Sequence, residues 1–167
     1  MPLTSKLVLS IKSELSNALD MVTTVASLAY EKAIELATGT GADQADRVFS
    51  DERTLAGSAS EDLDLAGVLV DALGATITFA RIRALYIENL ATGSNQVIVG
   101  AASSNAWTGP FGGTTPTVAV RPGGVLAMIC RDATGWAVTA GTGDLLKIAN
   151  STSGSIQYRI VIIGCSA

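Results

Sequence analysis

The apolar positions of this chain come in short runs, and each run is closed by residues that interrupt regular structure. From Val120 to Asn150 the chain reads VRPGGVLAMICRDATGWAVTAGTGDLLKIAN, with apolar runs cut apart by PGG, DATG and AGTGD. Val97-Ile98-Val99, Thr117 to Val120, Val125 to Cys130, Trp136 to Thr139, Leu145 to Ala149 and Ile156 to Ile163 are all β-prone and end at Gly, Pro, Asn or Asp. Several short strands at this spacing predict a sandwich or barrel. In Arg121-Pro122-Gly123-Gly124, proline presets φ at about −65° and glycine accepts the positive φ that a type II turn demands. Asp132-Ala133-Thr134-Gly135 is a second turn signal, which predicts a hairpin between Val125 to Arg131 and Trp136 to Thr139. The runs are continuously apolar more than alternating, as in strands buried on both faces, between a second sheet and a neighbouring subunit.

Upstream, TITFARIRALYIE from Thr76 to Glu88 has the β-branched and aromatic content of one or two strands. Asp62-Leu63-Asp64-Leu65 alternates with period two, as a half-exposed strand does. The first third fits two periods. Leu7, Ile11, Leu15 and Leu19 have helical spacing, while Leu7, Leu9 and Ile11 also lie opposite Val8, Ser10 and Lys12 at period two. Tyr30 to Ala37 is ambiguous in the same way. Both runs are short and the remaining chain is β, so strand is the expectation for each. Gly39-Thr40-Gly41 then marks a turn before Asp46 to Leu55. No linker or repeat divides the chain, which predicts a single β-sandwich domain over residues 1–167, with 1–29 as an N-terminal arm or a peripheral strand.

Composition narrows the class. With 167 residues, one domain buries roughly 70% of its unfolded surface and needs neither disulfide nor metal to hold a core. Only 16% of residues are charged and 48% are apolar, which excludes intrinsic disorder and leaves two accounts: a large core, or apolar surface covered in an assembly. No apolar run approaches the ~20 residues of a membrane span. Lys6 and Lys12 break up what would be the apolar centre of a secretory signal, so neither membrane insertion nor export is expected. Cys130 and Cys165 lie in or beside apolar runs, where a thiol behaves as a small buried hydrophobe; a disulfide would need neighbouring strands. The net charge is −4, Lys and Arg are scattered singly, and aromatics make up 5%, which argues against a nucleic-acid partner.

The chain has no histidine, which removes Ser/His and Cys/His nucleophilic pairs and imidazole metal ligands together. Glu61, Asp62, Asp64 and Asp71 are oxygen donors but lack the glycine and closing glutamate of a calcium loop, and a solvated strand explains them as well. Gly39-Thr40-Gly41 and Ala140-Gly141-Thr142-Gly143-Asp144 lack the Lys-Ser/Thr ending of a phosphate loop and are expected to be turns. No enzyme activity, metal or cofactor is therefore expected. Trp107-Thr108-Gly109-Pro110-Phe111-Gly112-Gly113 places large apolar groups in loop chemistry. Either Trp107 and Phe111 fold back to cap one end of the sandwich, or Trp107, Pro110 and Phe111 form a contact loop for a partner.

The series ADRVFSDERTLAGSASEDLDLAGVLVDALGATITFARIRALYIEN, VIVGAASSNAW, GPFGG, VRPGGVLAMICRDATGWAVTAGTGDLLKIAN and the closing IVIIG resembles a family of small virion proteins of tailed bacteriophages. The resemblance runs from about residue 30 to the C-terminus and more loosely through KLVLSIKSEL. It implies an antiparallel jelly-roll-like β-sandwich, assembled as a homotrimer. It further implies a protein made in the host bacterial cytoplasm that binds the major capsid protein and decorates or cements the outer face of the head. The family pattern assigns no site residue. A tail, fibre or host-binding virion component is the next reading. A carbohydrate-binding jelly roll resting on Glu61, Asp62 and Trp107 is the third.

Overall fold

The computed structural model describes residues 2–167, and the chain is built from β-strands. In order these are β1 (Ser5–Ala18), β2 (Thr23–Thr38), β3 (Gln44–Ala45), β4 (Arg47–Leu55), β5 (Ser60–Asp64), β6 (Leu69–Val70) and β7 (Thr76–Ile77). They are followed by β8 (Arg81–Asn89), β9 (Val97–Gly100), β10 (Thr117–Val120), β11 (Val125–Ile129), β12 (Trp136–Ala137), β13 (Leu145–Asn150) and β14 (Ile156–Cys165).

Two antiparallel sheets make the body. One has the order β10-β9-β13-β5 and the other β11-β8-β14-β4, with β12 also on β8. Phe49 and Leu55 of β4, Leu85 and Ile87 of β8, and Ile160 and Ile162 of β14 share one buried cluster with Leu63, Val97, Val99, Leu146 and Ile148 of the other sheet. The body is thus a β-sandwich, each such Leu or Ile contributing roughly 2 kcal/mol by leaving water. Strands are nested: β4 pairs β14, β5 pairs β13, β8 pairs β11 and β9 pairs β10. Burial alternates along β11 and β13, one face turned to the body and the other outward, so these runs are not buried on both faces as their continuously apolar sequence suggested.

The Pro-Gly turn forms as its chemistry requires. Gly124 N–H donates to Arg121 C=O at 2.8 Å, and Gly123 sits at φ 67°. It carries the chain from β10 in one sheet to β11 in the other. Asn89, fully buried, holds it there, its side-chain amide donating to Val120 C=O at 3.0 Å and Asn95 C=O at 2.9 Å.

The hairpin expected at Asp132-Ala133-Thr134-Gly135 does not form. β11 runs along β8 from Glu88 to Ala84, and β12 continues along the same edge opposite Ile82 and Arg81, so the two are segments of one interrupted edge strand. Residues 130–135 are an excursion from that edge. Asp132 Oδ1 accepts from the N–H groups of Thr134 and Gly135, and Gly135 at φ 61° lies so close to β8 that a Cβ there would stand 3.0 Å from Ile82 C=O. The residues are those of a turn, but the turn returns the chain to its own edge.

β1 and β2 are strands, as expected, and they pair with each other from Ser5↔Leu36 to Ala18↔Thr23 in one hairpin. β2 starts at Thr23, earlier than the Tyr30 suggested by the pattern. Every residue from Val8 to Ala33 is exposed. At ~3.4 Å per residue the uncovered ribbon is roughly 35 Å long. It is an arm projecting from the sandwich, and it ends in a turn closed by Leu19 N–H donating to Val22 C=O at 2.9 Å.

Candidate functional site

The alternation of side chains sorts the arm into two faces. Leu7, Leu9, Ile11, Ser13 and Leu15 share one face with their partners Ile34, Lys32, Tyr30, Leu28 and Ala26. The opposite face holds Lys6, Val8, Ser10, Lys12, Glu14 and Ser16 with Glu35, Ala33, Glu31, Ala29, Ser27 and Val25. The hairpin is therefore amphipathic, with a single charge, Lys32, in the middle of its apolar face. On the polar face, Lys6 Nζ lies 3.0 Å from Glu35 Oε1, a surface pair that contributes little by itself.

Only the root of the apolar face is covered. Leu36 is buried with Ala45, Ala84 and Ile163, and Leu7, Ile34, Val48 and Val161 pack against that cluster. Ala84 and Ile163 belong to the outer face of the β11-β8-β14-β4 sheet, so one end of β8 is buried on both sides. The cover expected from a neighbouring subunit is supplied at this point by the chain's own arm. Farther out, Leu9 is 55% exposed, Leu15 76% and Leu28 55%. The sheet face is likewise open beyond the root: Val125 is 53% exposed and Ala127 lies beside it. Across the strands, Ala127, Tyr86 and Val161 form one row and Val125, Glu88, Arg159 and Glu52 the next.

The root is fastened by a buried cation. Arg83 is fully buried on β8. Its Nη2 donates to the carbonyls of Gly41 at 2.8 Å, Ala133 at 3.1 Å and Thr40 at 3.2 Å, and its Nε donates to Gln44 C=O at 3.3 Å. One side chain thus ties the loop at the arm's base to the excursion at 130–135. Asp43 and Arg131 add an ion pair between the same two loops, backed by Asp43 N–H donating to Arg131 C=O at 3.0 Å. The Arg131 guanidinium holds the Asp43 carboxyl below the usual carboxylate range. Gly39-Thr40-Gly41, a turn as expected, supplies backbone carbonyls to an arginine. These polar contacts at the arm's base are ones that the hydrophobic pattern does not reveal.

The residues of the 107–113 loop are placed differently from one another. Trp107 is 2% exposed, its Nε1 donates to Ala137 C=O at 2.9 Å, and its ring meets Phe111 and Trp136 edge-on at 6.0 and 6.4 Å. It caps the end of the sandwich and offers no ring face to a partner or a sugar. Pro110 and Phe111 are half-buried, so a contact role for this loop narrows to those two. The sequence leaves this loop either a cap or a contact, and Trp107 takes the first role. The larger apolar surface lies on the arm, and its signal was the period-two spacing of Leu7, Leu9 and Ile11.

The acidic residues do not converge. Glu61 is engaged from both sides: Arg53 Nε donates to it at 2.8 Å and the Tyr158 hydroxyl donates to it at 2.8 Å. This joins β4, β5 and β14 at the seam of the two sheets. Burial first, then the hydrogen bond to Glu61, pushes the Tyr158 hydroxyl pKa well above its usual range. Asp71 accepts from Leu73 and Ala75 N–H in the turn between β6 and β7. Among the described residues no group of three His, Cys, Asp or Glu side chains is placed to hold a metal ion. Cys165 is buried, Cys130 half-buried, and both are free thiols. A groove of about 410 Å³ beside the arm's root is lined by Leu3, Val48, Leu73 and Ile77 with Arg47 and Asp71. Arg47 is turned onto Asp46, and the groove is a recess of mixed polar and apolar lining.

Fold and surface together define an all-β sandwich carrying a rigidly rooted, amphipathic hairpin arm. Searches against protein-family models, curated proteins and solved structures return no match.

Proposed function

We propose that this chain is a non-enzymatic structural protein of a phage virion that binds the outer surface of the head and stabilises it. The observation that carries this reading is the arm, a projecting amphipathic element whose apolar face is left uncovered beyond a root tied down by polar contacts. Three further features support it. The sequence motifs resemble tailed-phage virion proteins. Within the sandwich β4 pairs β14, β5 pairs β13, β8 pairs β11 and β9 pairs β10, a nesting that supports a jelly-roll reading. Three of the four sheet edges of the sandwich are short or interrupted, β5, β10 and β11 with β12, which suits a protein displayed at high density.

Stabilisation follows from mass action. A protein that binds the assembled shell and not its dissociated subunits lowers the free energy of the shell, and weak contacts repeated over a lattice add through multivalency. Homotrimeric assembly and contact with the major capsid protein belong to this proposal. The test is to mix the purified protein with undecorated heads, count bound copies and record head melting. Saturation at a fixed number of copies per lattice repeat, with a raised head Tm, is the expected result. Heads that bind none, or binding confined to a few copies at a tail or fibre, would overturn it.

A further inference from the structure

The arm and the outer face of the β11-β8-β14-β4 sheet are two halves of one contact that a single chain only begins. At the root, Leu7, Ile34 and Leu36 of the arm pack on Ala84, Val161 and Ile163 of that sheet. Past this point the arm leaves the body. Leu9, Ile11, Leu28 and Tyr30 continue its apolar face into solvent, while Val125, Ala127 and Ile129 continue the apolar face of the sheet. An isolated two-stranded ribbon is marginal in water, and one with leucine and isoleucine exposed along a whole face is stable only when that face is covered. We propose that the arm of each chain docks, apolar face inward, on the outer sheet face of a second copy.

Three arguments single out a second copy of this chain. The first is precedent, because the arm's residues already pack against this sheet face within one molecule. The second is charge. Lys32 is the lone charge on the arm's apolar face, and the sheet face carries Glu52 and Glu88 around Arg159, an excess of one negative charge. The third is area. A ribbon about 35 Å long and about 10 Å wide covers roughly 350 Å² and so buries roughly 700 Å² in total, which is below what a specific interface needs. Arm packed on arm stops at that figure. Exchange, in which each chain gives one arm and receives one, doubles it to roughly 1,400 Å², within the range of stable interfaces. The contact joins unlike surfaces, so it closes as a reciprocal pair or a small ring.

This inference is tested without a capsid: a monomeric chain would remove it together with the trimer of the proposed function, while a self-associating chain that ignores heads would remove only that function. Light scattering on the full chain is expected to give one closed species at a whole multiple of 17.0 kDa. The double variant Ile11→Ser with Leu28→Ser, and separately Ala127→Glu on the receiving face, should run as single chains that keep the cooperative unfolding of the sandwich. Lys12→Ser on the polar face should leave the mass unchanged. To locate the contact, chains carrying Leu28→Cys are co-expressed with chains carrying Ala127→Cys, both in a Cys130→Ser, Cys165→Ala background. A disulfide that forms only in the mixture supports arm-on-sheet exchange. A disulfide formed by Leu28→Cys chains alone would make the contact arm-on-arm and overturn the proposal. A monomeric wild-type chain, or one whose arm binds phosphatidylglycerol vesicles or heads while it stays monomeric, would overturn it as well.

Discussion

Leu7 and Ile34 stand opposite each other in the arm, and they are the last pair on its apolar face to touch the body. The next pair on that face, Leu9 and Lys32, is in solvent. This boundary separates what the chain needs for its own fold from what it presents. Removing residues 9–32 and joining Val8 to Ala33 through a two-residue Asn-Gly turn should therefore leave the sandwich intact. Calorimetry is expected to show a cooperative transition shifted by no more than a few degrees, while self-association is lost. Loss of the folded state would mean that the arm belongs to the core.

Arg83 should matter more than its position in an apolar strand suggests. Arg83→Met removes the donor to four backbone carbonyls of the two loops, three of them on half-buried residues, at a cost of about 2–3 kcal/mol. Hydrogen exchange should rise together over residues 39–45 and 130–135, the two loops that the guanidinium holds. Faster exchange in only one of them would break the link between arm root and excursion.

The aromatic loop should divide by burial. Trp107→Ala is expected to lose about 3–5 kcal/mol in urea unfolding, since it empties a capped end of the core and removes the hydrogen bond to Ala137. Phe111→Ala should cost less, and Pro110→Ala least. Equal effects at Trp107 and Pro110 would contradict the placement of Trp107 inside the sandwich.

Acid should weaken the fold through specific carboxylates. Asp43 is held low by Arg131, Asp71 by the N–H groups of Ala75 and Leu73, and Asp132 by the Cys130 thiol and the N–H of Gly135. A carboxyl whose pKa is lower folded than unfolded contributes stability above its unfolded value and loses it as pH falls through the folded one. Tm should thus be flat through neutral pH and fall below about pH 4. Arg131→Ala should lower Tm at pH 7 and flatten the acid limb, because the Asp43 contribution is then absent at every pH.

Alkali should act through Tyr158. Its pKa is raised in the fold, so its contribution is present below the unfolded value of about 10 and declines as pH rises above it. Tyr158→Phe should shorten that decline and release Glu61 to Arg53 alone. A Tm profile above pH 10 identical in wild type and variant would show that the seam between the sheets does not depend on this hydroxyl.

The sequence by itself determined the local states. Period-two apolar spacing, β-branched residues and Gly/Pro punctuation place the strands from β8 onward, the two strands of the arm and the Pro122-Gly123 turn, because these depend on steric preferences of adjacent residues. Tertiary structure alone decided which strands meet. Asp132 to Gly135 has the chemistry of a turn, yet whether a turn leads to a hairpin or back to the same edge depends on β8, held against the loop by Arg81 and Arg83, far away in sequence. In the same way, Leu7 and Leu9 are alike as letters. One is covered and the other bare because the arm leaves the sheet between them, beyond a root tied by Arg83 and Asp43 through contacts that no local pattern encodes.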